Sequence, residues 1–196
     1  MGVTVLFGGT FNPFHIGHYE MLSLLCRRAE IDEVWIMPDR IPPHKTCDYL
    51  APETDRLHMC ELAAADFEKA RVSDFELQRD GRSYTFDTIR LLKERYPEKH
   101  FALCCGGDMT ATLESWYHGP ELIREVPFYA FSRAGESGFG EAVAKLRSHG
   151  ADITIVAGNI TEVSSTKLRR MLKNGGAGGL IPDKIEKYIR NRGLYV

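Results

Sequence analysis

The sequence predicts an α/β fold: a doubly wound parallel sheet with helices on both faces. Three observations carry it. Short apolar runs alternate with longer amphipathic ones along all 196 residues. The apolar runs are nearly continuous, as strands buried on both faces must be. Two of them are followed by paired glycines, Gly8-Gly9 and Gly106-Gly107. Sheets of this kind bind ligands beyond the carboxyl ends of their strands, where the strand order reverses.

The elements follow in chain order. VTVLF (3–7) reads as a buried strand and 18–28 as the helix after it. EVWIMP (33–38) is a second strand. Residues 53–68 read as a helix, with Glu53, Thr54 and Asp55 suited to its first turn. ARVSDFEL (70–77) is a strand, and 85–96 a helix that Pro97 helps to end. HFALCCG (100–106) is the next strand, with a short helix after Asp108. PFYAFSR (127–133) is a strand, 140–148 a helix and ADITIV (151–156) the last strand. Two helices, 165–172 and 182–191, close the chain, so a helical C-terminal portion begins at about 164. One domain over 1–196 is expected, with right-handed crossovers. Gly175-Gly176-Ala177-Gly178-Gly179 reads as a connector.

Composition narrows the classes of function. A net charge of −2 and a pI near 6.4 argue against bulk binding of nucleic acid or anionic membranes. No apolar run approaches the roughly 20 residues of a membrane helix, and no secretion signal opens the chain. Cys26, Cys47, Cys60, Cys104 and Cys105 are odd in number and lack CxxC spacing, so a reducing cytoplasm fits best. Cys104-Cys105 reads as part of a buried strand rather than a redox pair.

The chemistry concentrates in GGTFNPFHIGH, residues 8–18. Gly8 and Gly9 let backbone approach a ligand without Cβ interference. Thr10 and Asn12 offer short polar side chains. His15 and His18 are three apart where a helix begins, a spacing that can set both imidazoles over one spot. Helix N-termini favour phosphate, and two imidazoles add directed donors, so the stretch reads as a triphosphate cradle. The adjacent glycines do not match G-x-G-x-x-G, the P-loop pattern is absent, and no further ligands suggest zinc. Near the other end, VSSTKLRR (163–170) can cap a helix through Ser164 or Ser165. Arg169 then lies one turn on and can bind phosphate bidentately.

GGTFNPFHIGH resembles the H-x-G-H signature of the nucleotidylyltransferase superfamily, and VSSTKLRR its second signature, I-S-S-T-x-I-R, with Val163 and Leu168 as apolar exchanges. Within it the chain is most similar to bacterial nicotinate-nucleotide adenylyltransferases, through PPHK (42–45), RSYTFDTI (82–89), GGDM (106–109), SWYH (115–118) and the ending IPDKIEKYIRNRGLYV. The resemblance implies a Rossmann-like fold and the synthesis of nicotinate adenine dinucleotide from nicotinate mononucleotide and ATP.

The mononucleotide phosphate would attack the ATP α-phosphate in line and expel pyrophosphate, chemistry that needs positioning and charge stabilisation. The catalytic residues implied are His15, His18, Lys45 and Arg169. ATP would meet Gly8, Gly9, Thr10, Phe11, His15, His18, Gly106, Asp108, Ser164, Ser165, Thr166 and Arg169. The mononucleotide would meet Asn12, Lys45, Tyr84, Thr85, Trp116, Tyr117 and Arg133, with Trp116 stacking on the pyridine ring and backbone N–H groups near Thr85 and Tyr117 meeting its carboxylate. Mg²⁺ is expected as the carrier of ATP, with few protein ligands. Neither nucleic acid nor membrane is an expected partner, and a homo-oligomer stays open. A sister transferase using nicotinamide mononucleotide, pantetheine phosphate or a cytidylyl group shares the phosphate motifs, as does a nucleotide-binding regulator without turnover.

Overall fold

A computed structural model of the chain describes residues 2–40, 49–132 and 138–195. Six strands form one sheet: β1 (Val3–Gly9), β2 (Ile31–Pro38), β3 (Ala70–Val72), β4 (His100–Gly106), β5 (Phe128–Phe131) and β6 (Ile153–Ile155). Their order is β3-β2-β1-β4-β5-β6, and every neighbouring pair is parallel. The chain winds outward from β1 to β3, then returns to the other side of β1 with β4. The order therefore reverses between β1 and β4, and their carboxyl ends open the crevice that such sheets use for ligands.

Eight α-helices are described: α1 (Ile16–Cys26), α2 (Glu53–Ala64), α3 (Thr85–Arg95), α4 (Gly107–Thr110), α5 (Gly119–Glu125), α6 (Phe139–Ser148), α7 (Ser165–Lys173) and α8 (Asp183–Arg192). They cover the two faces separately. Leu22 and Leu25 of α1, Met59 and Cys60 of α2, Leu168 of α7 and Ile185 of α8 pack in one core with Val5, Phe7 and Cys104. Ile89 and Leu92 of α3, Leu122 of α5 and Val143 and Leu146 of α6 pack in the other with Leu6, Leu103 and Cys105. Successive strand residues point to opposite faces, so each buried strand feeds both cores. Cys104 and Cys105 split between them as free thiols, as the buried-strand reading expects.

Several boundaries differ from the sequence reading. β3 stops at Val72, and Phe75-Glu76-Leu77, whose apolar–polar–apolar pattern imitates a strand, lies in a turn. α1 begins at Ile16, so His18 stands inside the first turn. α2 ends at Ala64. Helix α5 was not expected at all: it is seven residues long, too short to show a helical period, and Pro120 sits in its first turn.

Gly8 and Gly9 finish β1 instead of making a turn. The turn comes at Phe11, whose φ of 48° lies in the left-handed region, a conformation that side chains seldom adopt. Its ring is fixed by packing, edge-on to Phe7 at 5.5 Å and stacked on Phe14 at 5.3 Å. A Cβ on Gly8 would meet nothing within 4 Å, so that position leaves open space at the crevice.

One fully buried side chain ties the sheet's mouth together. The Arg56 guanidinium donates from Nε to Ala51 O (3.2 Å), from Nη1 to Thr10 O (2.9 Å) and from Nη2 to Arg40 O (3.3 Å). Asp39 Oδ1 balances its charge at 3.5 Å. The loops after β1 and β2 and the approach to α2 thus share one pin. Replacing it by an apolar side chain strands three carbonyls and a carboxylate. Arg56→Met is expected to lower stability by about 3 kcal/mol or more, read as a shift in the urea-unfolding midpoint.

Candidate active site

The two histidines cap their own helix. His15 is the N-cap of α1, and its Nδ1 accepts from His18 N at 3.4 Å. His18 is at N3, and its Nδ1 accepts from His15 N at 3.3 Å. This is a capping box built from two imidazoles. A ring that accepts at Nδ1 is neutral and carries its proton on Nε2. The rings stack with centroids 3.6 Å apart and 16° between planes, so both Nε2–H groups belong to one compact unit. Phe7, Phe11 and Phe14 pack around the His18 ring at 5.0–6.1 Å and hold it from behind.

The second motif docks on the first. Ser164 is the N-cap of α7, with Oγ accepting from Lys167 N at 3.4 Å. Ser165 and Thr166 occupy the first turn, where backbone N–H groups lack partners within the helix. Arg169, one turn further, donates from Nη1 to Asn12 O at 2.9 Å, across 157 residues of sequence, and from Nη2 to Thr166 Oγ1 at 3.2 Å. α1 also grips the chain leading into α7: Glu20 accepts from Thr161 N at 2.6 Å and from Thr161 Oγ1 at 2.9 Å. A Cβ on Gly17 would stand 2.9 Å from Thr161 O, so only glycine permits this approach.

Beside these motifs lies a cavity of about 440 Å³ at the carboxyl ends of β1, β2 and β4. Gly8, Gly9, Thr10, Tyr84, Thr85, Asp108, Trp116 and Tyr117 line it together. Trp116 is half-buried and donates from Nε1 to Thr112 Oγ1 at 3.2 Å. The Tyr84 and Tyr117 rings meet at 4.7 Å. Tyr84 is the N-cap of α3 but makes no side-chain cap, and Thr85, the first residue of α3, lines the cavity.

The expected site residues therefore fall into two adjoining groups. His15 and His18 cap α1, Ser164, Ser165, Thr166 and Arg169 begin α7, Arg169 joins the two through Asn12 O, and none of the six lines the cavity. The second group lines the cavity, with Gly106 at the end of β4 just behind Asp108. Phe11 contributes backbone and packing. Thr10 donates to Asp39 Oδ2 at 3.0 Å. Asn12, expected at the mononucleotide, is buried, and its side chain is used within the protein. Nδ2 donates to Tyr49 O (2.7 Å), while Oδ1 accepts from Ala51 N (3.1 Å) and Tyr195 OH (2.8 Å). It ties the motif loop to residue 49 and to the end of the chain. Lys45 and Arg133 lie outside the described residues.

Sequence reasoning missed Asp39, Glu76, Ser83 and Thr88, which also line the cavity. Asp39 had a signal, since it directly follows the β2 run. Glu76 was hidden in the stretch read as a strand. Burial pushes the Glu76 carboxyl up to about 7. The Thr88 hydroxyl, donating at 2.7 Å, opposes that rise, the Asp39 charge adds to it, and Arg79 and Ser83 oppose it.

Comparisons with known proteins agree with this geometry. The model of the cytidylyltransferase-like family matches residues 6–171. The nicotinate-nucleotide adenylyltransferase of Bacillus subtilis (strain 168) is 36% identical over 194 residues, covering 97% of this chain and 96% of the relative. A probable nicotinate-nucleotide adenylyltransferase of Halalkalibacterium halodurans is 38% identical over 192 residues, covering 97% and 89%. Among solved structures, Plasmodium falciparum nicotinic acid mononucleotide adenylyltransferase complexed with NaAD superposes with a TM-score of 0.81 at 20% identity, covering 100% of this chain and 98% of that one. At that identity it speaks for the fold alone.

The Glu76 carboxyl has a direct consequence for stability. Its folded value lies above the ordinary 4.5, so the stability it permits is complete below about 4.5 and is lost as pH rises through about 7. Gln cannot ionise. Glu76→Gln is expected to gain on the wild type by up to about 3 kcal/mol between pH 4.5 and 7.5. Urea unfolding at pH 5 and pH 8 measures the change. These stacked caps, docked motifs and relatives converge: the chain belongs to the cytidylyltransferase-like family, among the bacterial nicotinate-nucleotide adenylyltransferases.

Proposed function

We propose that the protein transfers AMP from ATP to nicotinate mononucleotide, giving nicotinate adenine dinucleotide and pyrophosphate, a step in the making of NAD. The observation that carries this reading is the Arg169–Asn12 contact, which joins two phosphate-binding motifs from opposite ends of the chain beside one aromatic-lined cavity.

In the reaction a phosphate oxygen of the mononucleotide bonds to the α-phosphorus of ATP. The α–β bridging bond breaks, and its electrons leave with pyrophosphate. The nucleophile is already an anion, so no base is needed. Charge must instead be met where it gathers. The Nε2–H groups of His15 and His18 are suited to the α- and β-phosphates, and the first N–H groups of α7 with Arg169 to the outer ones. Thr10 serves the same phosphates once it turns from Asp39. Asp108 can accept from a ribose hydroxyl. Lys45 and Arg133 are assigned to the phosphates near the reacting centre and to the mononucleotide.

These donors are N–H groups, which suit phosphate oxygens and not a metal. Among the described residues no three His, Cys, Asp or Glu side chains gather as ligands. Mg²⁺ fits as a companion of ATP, held by phosphates and water, where it would neutralise charge on the leaving pyrophosphate. No helix among the described residues is long and apolar enough to cross a membrane. With ATP as substrate and free thiols in both cores, a cytoplasmic enzyme of one domain is the reading we favour.

The cavity suits a planar ring. Trp116 offers the stacking face, while the uncapped start of α3 offers N–H groups to an acid substituent. A carboxylate accepts from these donors, but an amide NH₂ turned toward them sets donor against donor. That mismatch costs roughly 1–3 kcal/mol.

Mixing the protein with Mg-ATP and a panel of phosphate acceptors, and measuring pyrophosphate release, tests the assignment. Nicotinate mononucleotide is expected to exceed the amide in kcat/KM by roughly 5- to 150-fold. Equal or better use of the amide assigns the protein to the sister activity. Trp116→Ala should weaken both mononucleotides and largely keep their ratio. His18→Ala should lower kcat by on the order of 100-fold or more, with a smaller change in KM, because a donor aimed at developing charge acts on the chemical step. Steady-state kinetics separates the two parameters.

A further inference from the structure

We propose that Glu76 is a specificity-determining residue: its carboxyl, set in the cavity wall behind the α3 N-terminus, governs by its charge how strongly the pocket prefers a pyridine mononucleotide bearing an acid over one bearing an amide. This rests on the pocket's assignment to the mononucleotide ring. Glu76 lies in the turn between β3 and α3, is 8% exposed and lines the cavity. It is anchored to α3 by Thr88, whose hydroxyl donates to Oε1 at 2.7 Å. Thr88 stands one helical turn after Thr85, so the carboxyl sits within about 10 Å of the N–H groups offered to the acid substituent.

Neighbouring charges act on this carboxyl from a distance, Asp39 raising it and Arg79 lowering it. Arg79, on the same turn, reaches the Thr88 hydroxyl at 3.0 Å and forms no ion pair with the carboxyl. Asp39, on the loop after β2, lines the same cavity but is balanced by Arg56 at 3.5 Å. Asp108 on α4, the Tyr84 and Tyr117 phenols and the Cys104 and Cys105 thiols, which burial pushes up, complete the titratable lining, and the hydroxyls of Ser83 and Thr10 add no charge. Arg40 is engaged outside with Asp80 at 2.7 Å and Glu53 at 3.4 Å. His118 follows Tyr117 and pairs with Glu121 at 3.2 Å on the exposed side.

The consequence is electrostatic. When Glu76 is protonated, the α3 N–H groups attract a ring carboxylate with little opposition. When it ionises, which burial delays to about pH 7, a further negative charge enters the same wall and repels that carboxylate. An amide ring feels no such change. The preference for the acid therefore weakens through neutrality, and the enzyme reads the pH of its compartment through its choice of substrate.

The test measures binding by calorimetry for nicotinate and nicotinamide mononucleotides from pH 5.5 to 8.5, in the wild type and in Glu76→Gln. Both ligands carry the same phosphate, so its titration cancels in the ratio of their Kd values. The wild-type ratio is expected to fall roughly tenfold in favour of the amide between pH 6 and pH 8, and Glu76→Gln to hold it level. A level ratio in the wild type, or an undiminished slope in Glu76→Gln, overturns the inference. The wild type gives an independent reading. At pH 7.5, titrations in buffers of different ionisation enthalpy should show more proton uptake with the acid than with the amide, and equal uptake overturns the proposal. Binding of both ligands without pyrophosphate release would sink the proposed activity but leave this inference to be decided by its slope. Binding of neither removes the pocket's assignment and the inference with it.

Discussion

The reciprocal cap between His15 and His18 is the constraint on which the mouth of the sheet depends. One pair of hydrogen bonds, 3.3 and 3.4 Å long, does three things. It satisfies backbone N–H groups at the start of α1. It fixes both rings in the tautomer that carries a proton on Nε2. And it stacks them, so that two donors act from one place. Neither ring could do this as an imidazolium, which has no acceptor nitrogen. The N-terminus of α1 therefore presents directed neutral donors, with the formal positive charge of Arg169 held beside it at Asn12 O.

Around that cap the structure is a set of cross-ties between segments distant in sequence. The N–H of Ile16, unpaired within its helix, donates to Leu180 O at 2.9 Å. Asn12 joins residues 49, 51 and 195, and Arg56 joins residues 10, 40 and 51. Each tie satisfies a backbone group that loop geometry would otherwise leave unmade, and an unmade buried group is expensive. The loops at the sheet's mouth are thus held by the same economy of polar groups that holds secondary structure, which is why they can present a preformed site.

Much of this was legible in the sequence. The order of apolar runs gave the doubly wound sheet, because strands buried on both faces leave continuous hydrophobic stretches. The spacing of His15 and His18 gave their meeting, because three residues return to the same side of a helix. What escaped was what local pattern cannot encode. α5 is shorter than two helical periods. Phe75-Glu76-Leu77 alternates like a strand, yet the cavity recruits its central carboxylate from a turn. Phe11, not a glycine, takes the left-handed position, since aromatic packing from Phe7 and Phe14 outweighs its backbone preference. Asn12 looked like a ligand-facing amide in a polar loop, and only the fold brings Tyr49, Ala51 and Tyr195 around it.

Two different environments result, and the reaction needs both. The region around the starts of α1 and α7 is rich in N–H donors at helix termini, an arrangement that favours anions without burying a free cation. The cavity is walled by aromatic and apolar residues interleaved with the carboxyls of Asp39, Glu76 and Asp108. β1 lies at the boundary, sending Gly8, Gly9 and Thr10 along the cavity and leading through residues 11–14 to the His15 cap of α1. The doubly wound order puts that strand at the centre of the sheet, so the loop that must touch both substrates leaves the place where the two halves of the fold meet.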